Sequence, residues 1–238
     1  MLRPFCLALV YLLFTAFGSN TNRISLHMEV KRLYNKKVIS LKADVYYKYI
    51  EGVMVTHYTY PQEYIYISNL KGEVKAYYPQ TNEVIIQQNS IFSIENDVLY
   101  YFVNNKIFDL GLKELGFTLH HTSYEKSDMI TTWYPPAELS KNLLKVEMVH
   151  ENNLPIYSAY YNRKGKIVKK IYYSGFSNYG HFALPRNVTE FEYLAKGDSI
   201  ISRKTYTNIK TNDEANNSFF DFRIPKEAKI IKKPTLQQ

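Results

Sequence analysis

Cysteine is almost missing from this chain of 238 residues: the one present, Cys6, sits in an N-terminal apolar run. It follows Phe5 rather than a small residue, so a bacterial lipid-attachment site there is not expected. A chain without disulfides must be held by an ordinary core, which its length allows. No Gly-x-Ser-x-Gly elbow is present, which removes the usual strained-turn serine nucleophile. Glycine-rich phosphate loops are missing as well, since Gly111 and Gly116 stand alone. The six histidines show no metal-ligand spacing. His57, His150 and His181 are isolated, and His120 and His121 are neighbours on an expected strand, where they point to opposite faces. No carboxylate pair is singled out. The reading is therefore of a protein that is not an enzyme, with no metal, no cofactor and no catalytic residue. Linkers rich in proline, glycine or serine are also lacking, so residues 19–238 read as a single domain.

What is present begins with a leader. Arg3 precedes an apolar run from Phe5 to Phe17, and Ala16 and Gly18 suit a cleavage site, placing a signal peptide over residues 1–18. The run is shorter than the roughly 20 residues of a membrane span, although an uncleaved anchor is the alternative. Export with no cysteine left after cleavage fits a bacterial periplasm. The net charge of +8, one less without Arg3, is spread as scattered lysines and reads as a solvated surface.

Tyrosine is the abundant residue, 23 against one tryptophan, and it favours pleated, half-buried surfaces. The doublets Tyr46-Tyr47, Tyr77-Tyr78, Tyr160-Tyr161 and Tyr172-Tyr173 could stack nucleic-acid bases. An exported protein meets little nucleic acid, and one packed ring beside one surface ring is the ordinary sheet arrangement, so no nucleic-acid partner is expected. From Val38 the alternation is regular: Ile39, Leu41, Ala43, Val45, Tyr47 and Tyr49 share one face, and polar residues share most of the other. Further strands are expected over 53–60, 64–69, 73–78 and 83–88. After an interruption they resume over 117–123, 128–134, 143–150, 154–162, 166–174, 181–194 and 198–209. Residues 24–36 suit either a strand or a helix, and the helical reading is preferred.

The interruption has a different period. Ile91, Ile94, Val98, Leu99 and Phe102 recur every three or four residues, with Ser90 and Ser93 as caps, and a second helix is expected over Phe108–Leu115. Residues 90–116 thus form a small helical lid. A long antiparallel sheet with one apolar face under so little cover implies a cavity between sheet and lid, suited to an apolar ligand.

Several stretches resemble the LolA-like lipoprotein carriers, with LolB and RseB among their relatives. They are Gly72-Glu73-Val74-Lys75-Ala76-Tyr77-Tyr78-Pro79 followed by Asn82-Glu83-Val84; Asn153-Leu154-Pro155-Ile156 with Tyr161-Asn162-Arg163-Lys164-Gly165; Phe182-Ala183-Leu184-Pro185-Arg186; and the closing Phe220-Asp221-Phe222-Arg223-Ile224-Pro225. The resemblance implies an α+β, β-rich fold: an unclosed, curved antiparallel half-barrel under a short helical lid. It implies a periplasmic, monomeric carrier for the acyl chains of lipoproteins or another lipid, with an inner-membrane donor and an outer-membrane acceptor. The carriers' latch arginine, which stands before a proline on an early strand, is matched by Tyr60 before Pro61, so the implied carrier lacks that latch. A sensor or partner-binding module on the same fold is the alternative. The expected ligand-lining residues are Leu41, Ala43, Val45 and Tyr47; Val74, Ala76 and Tyr78; Leu144, Val146 and Met148; and Val98 and Phe102 from the lid.

Overall fold

The computed structural model describes residues 22–194 and 197–231; the expected leader over 1–18 lies outside them. The first hairpin is β1 (Arg23–Tyr34) and β2 (Lys37–Lys48). A meander follows: β3 (Val53–Tyr60), β4 (Tyr64–Asn69), β5 (Glu73–Tyr78) and β6 (Glu83–Gln88). The second half contains β7 (Thr118–Glu125), β8 (Asp128–Tyr134), β9 (Leu143–Glu151), β10 (Leu154–Asn162), β11 (Ile167–Asn178), β12 (Ala183–Tyr193) and β13 (Ser199–Thr211). A two-residue strand, β14 (Lys229–Ile230), ends the described chain.

All fourteen strands belong to one sheet, ordered β14-β6-β5-β4-β3-β2-β1-β13-β12-β11-β10-β9-β8-β7. Pairing is antiparallel throughout except between β14 and β6. The end strands do not meet, so the curved sheet is an unclosed half-barrel, as the sequence implied. The chain walks from β1 to one edge, crosses to the far edge, and walks back until β13 closes on β1. Because the crossing joins opposite edges, it passes over the hollow, and this is why residues 89–117 carry the lid.

β1 corrects the helical reading of residues 24–36. Ile24, Leu26 and Met28 are buried in strict alternation, and β1 is hydrogen-bonded on both sides, to β2 and to β13. Two ladders outweigh a weak helical stripe. The hollow face is continuous across the register: Ile24 stands opposite Tyr47 and Tyr47 opposite Met54, while Met28 stands opposite Ala43 and Ala43 opposite Tyr58.

The lid is less helical than expected. Two 3-10 turns, Ser90–Phe92 and Ile94–Asn96, lead to α1 (Val98–Val103). Each is capped by a side chain accepting a backbone N–H, from Asn89, Ser93 and Asp97 respectively; Ser90 does not cap. Leu99 to Val103 are all buried, so α1 is apolar on every side and sits inside the hollow. One and a half turns cannot hold a helix alone, and packing supports it. Phe102, fully buried, lies 5.6 Å from the Tyr173 ring and 5.9 Å from that of Phe176.

The second expected helix, Phe108–Leu115, is instead a chain of turns. The Asp109 carboxylate accepts the N–H of Lys113 at 3.1 Å, and Gly111 and Gly116 take φ of 88° and 82°. These local bonds and left-handed residues replace the helical ladder. At Gly111 a Cβ would fall 2.2 Å from the Tyr101 ring, so glycine lets the lid close on α1.

The outer face is not simply wet. Residues 212–228 strap across β2–β6, burying Ala215 and Phe220 against Tyr46, Val55, Ile65, Tyr77 and Val84. Phe219 stacks on Tyr46 at 5.2 Å and on His57 at 4.7 Å. Among the described residues no helix is long and apolar enough to cross a membrane.

Candidate functional site: a cavity beneath the lid

The hollow is filled unequally. Over β2, α1 packs directly against the sheet: Ala43, Val45 and Tyr47 join Leu99, Phe102 and Val103 in one core, and Asn104 Nδ2 donates to Tyr47 Oη at 3.2 Å. Burial pushes the Tyr47 hydroxyl up to about 12, so it stays protonated at neutral pH. On the other side of α1, over β9–β13, a cavity of about 440 Å³ remains. Its apolar wall comes from Val30, Met148, Ile171 and Val188 on the sheet and from Val98, Leu110, Leu112 and Leu115 on the lid. The register brings the sheet residues together, since Met148 stands opposite Ser158 and Ser158 opposite Ile171, while Tyr173 stands opposite Val188.

The cavity is not uniformly apolar. Lys204 and Lys169 reach it, each facing an acid: Lys204 Nζ lies 3.6 Å from Asp97 Oδ2, and Lys169 Nζ lies 2.9 Å from Glu190 Oε2. The Asp97 charge beside it raises the Lys204 ammonium above the usual lysine range, so this group stays charged. Ser158 Oγ is buried in the cavity wall. Burial pushes the Tyr160 hydroxyl to about 12. Arg32 stands at the mouth, exposed, with no acidic partner among the described residues.

The lid is tied down beside the cavity. Tyr100 Oη donates to Glu95 Oε1 at 3.1 Å and accepts from Lys106 Nζ at 3.1 Å. His150, on β9, is 1% exposed, and its Nε2 lies 3.3 Å from the Ile107 carbonyl. Burial lowers its pKa, so the ring is neutral and Nε2 donates to that carbonyl. Phe108 lies over His150 at 5.9 Å and meets Trp133 at 5.8 Å.

Of the residues expected to line a ligand site, Val98 and Met148 do line this cavity. Leu41, Ala43, Val45, Tyr47 and Phe102 belong to the packed core beside it. Val74, Ala76 and Tyr78 share the hollow face further along the sheet, where Tyr58, Tyr64 and Tyr78 stack in sequence at 4.3 and 5.8 Å. Val146 packs under Trp133 in a smaller cluster. Leu144 lies in a surface hollow with Tyr134, Pro135 and Arg163. Sequence reading did not assign Ile171, Tyr173, Val188 or the leucines of 110–115 to a ligand site. The first three lie on strands it had placed, so their alternation held the signal; the leucines were hidden in an expected helix that does not form.

Outside the cavity, His27 Nδ1 meets Asp44 Oδ1 at 2.9 Å and His57 Nε2 meets Glu63 Oε1 at 2.9 Å. Among the described residues no three metal-ligating side chains gather.

A curved open sheet, a lid threaded from edge to edge, and a cavity between them define a LolA-like half-barrel. Solved structures agree at the level of fold. A LolA superfamily protein from Nitrosomonas europaea superposes with a TM-score of 0.52 at 11% identity, covering 82% of this chain and 88% of that one. A domain from Vibrio parahaemolyticus assigned to outer membrane lipoprotein sorting gives 0.55 at 12%, covering 84% and 89%. A DUF1329 family protein from Desulfovibrio piger gives 0.54 at 12%, covering 85% and 90%. No family model matches the sequence, and no curated protein does.

Proposed function

We propose that this protein is a non-catalytic periplasmic carrier that holds an acyl chain, of a lipidated protein or another lipid, in the cavity beneath its lid and releases it to an outer-membrane acceptor. The cavity of about 440 Å³ between sheet and lid carries this reading. It falls within the roughly 300–1,000 Å³ of small-ligand pockets. At about 30 Å³ per water-sized group, it has room for about fifteen, which suits one acyl chain. A dozen buried methylenes contribute about 10 kcal/mol gross. Lost translational and rotational freedom costs about 4–15 kcal/mol. The two terms are of similar size, so the net affinity is small enough for release, as a carrier requires. The LolA-like fold supports the same reading.

The test is titration of the protein with a fluorescent fatty acid and an acylated peptide, with native mass spectrometry of the complexes. Leu115 lines the cavity and is 57% exposed, so Leu115→Asp charges the mouth without disturbing the core. Saturable uptake, weakened about tenfold or more by this variant, is expected. A protein that takes up neither probe refutes the carrier and leaves a partner-binding module.

A further inference from the structure

The tip of the β1–β2 hairpin is apolar, cationic and uncovered. Leu33, Tyr34, Val38 and Ile39 are 38%, 41%, 63% and 61% exposed. They lie on both faces of the hairpin: Arg32 stands opposite Ile39, and Leu33 opposite Val38. A surface apolar on both sides cannot be buried by folding back onto its own sheet. The hairpin also stands clear of its neighbour, since β3 first pairs with β2 at Lys42, leaving Lys37–Leu41 bonded to β1 alone. At about 3.3 Å per residue, β2 overhangs β3 by about 16 Å, while on the other side β13 follows β1 as far as Leu33.

Charge selects the partner. Lys31, Arg32, Lys36, Lys37 and Lys42 all fall between Glu29 and Asp44, with no acid among them. Lys31 leans on Glu29 at 3.4 Å. Beside the tip, β13 presents Ile201, Ser202 and Arg203. The turn Asn162–Lys166, on the same rim, adds exposed Arg163, Lys164 and Lys166. The turn itself gives an independent sign: Asn35 and Lys36 take φ of 47° and 62°. A two-residue turn of this kind favours glycine at its second position, yet a lysine is held there in the left-handed region at a conformational cost.

We infer that this hairpin docks the protein on an anionic lipid bilayer, its four apolar side chains entering the headgroup boundary while the lysines and Arg32 meet acidic headgroups. Val30 and Arg32 line the cavity and continue directly into the hairpin, so docking sets the cavity mouth beside the membrane. The inference does not depend on what the cavity holds.

Flotation or cosedimentation with phosphatidylcholine vesicles, with and without phosphatidylglycerol, tests it. Binding is expected only to the anionic vesicles and to weaken as salt is raised. The double variants Lys36→Glu/Lys37→Glu and Val38→Ser/Ile39→Ser should each weaken it about tenfold or more, the first also flattening the salt dependence. Lys36→Gly should fold more stably than the parent and bind less well, a combination that misfolding cannot produce. Fatty-acid uptake in solution, measured on the same variants, should be unchanged, which separates this inference from the carrier reading. Equal binding to neutral vesicles, no binding to either kind, or a dimer in solution that the tip variants dissolve would overturn it.

Discussion

Acidification from about pH 7.5 to about pH 5.5 is expected to destabilise this protein through His150 in particular. Burial beneath the lid depresses the native pKa of His150 below its ordinary value of 6.5. Above pH 6.5 the ring is neutral in the native and unfolded chains alike, and His150 contributes no pH dependence. Below it, the unfolded chain takes up a proton that the buried ring refuses. Stability then falls by up to about 1.4 kcal/mol per pH unit, until the pH reaches the native value. Protonation would also put an N–H on Nδ1, which is buried with no partner among the described residues, while Nε2 already serves the Ile107 carbonyl. Loosening should therefore begin at the lid. The single tryptophan, Trp133, is fully buried and touches Phe108 of the lid, so its fluorescence reports this region. Urea unfolding of the parent and of His150→Gln across this pH range gives two stability profiles. Their difference isolates His150 from the other histidines and the carboxylates. A flatter profile for His150→Gln is expected; parallel profiles would refute the reasoning.

Three substitutions probe other parts of the fold. Gly111→Ala drives a methyl into the Tyr101 ring from a left-handed backbone, so a loss of about 1–3 kcal/mol in urea melts and faster proteolysis within the lid are expected. Phe220→Ala empties a 2% exposed position in the outer cluster and should cost about 3–5 kcal/mol in thermal or urea unfolding, with fatty-acid uptake retained at temperatures where the protein stays folded. Asp97→Ala removes the cap that accepts the Leu99 N–H at 2.9 Å and the partner of Lys204; a loss of about 0.5–2 kcal/mol is expected, measurable by calorimetry.

The sequence made the sheet legible wherever alternation ran beside turn residues. β3, β4, β5 and β6 have the expected bounds, and Asn152-Asn153 turns the chain with φ of 51° and 64°. β1 was harder to read because its ladders lie with β2 and with β13, and β13 begins well over 150 residues later, where no local window sees it. The lid misled in a second way. Its three-and-four spacing is real, yet it marks a plug buried on all sides rather than an amphipathic cover. Hence the free volume lies beyond α1, over Ile171 and Val188, and not over Val45 and Tyr47. The closing Phe220–Pro225 stretch was legible as a motif, but not its place as an outer strap, because nothing local shows that Tyr46, Val55 and Tyr77 face it. Val98 and Met148, both expected at a ligand site, lie on opposite sides of the cavity.

The seam between β1 and β13 also governs the order in which the molecule can be made. Leu33 pairs with Ile201 and Ile24 with Thr211, so the first described strand waits for the last long one. Closing so long a loop is slow, because its entropy is spent before the contacts form. Until β13 arrives, β1 is an open edge whose buried face, Ile24, Leu26 and Met28, is half dressed. Such edges recruit strands from other chains. A chain halted before Ser199 should therefore aggregate through β1 rather than persist as a smaller half-barrel, and refolding yield should fall with protein concentration.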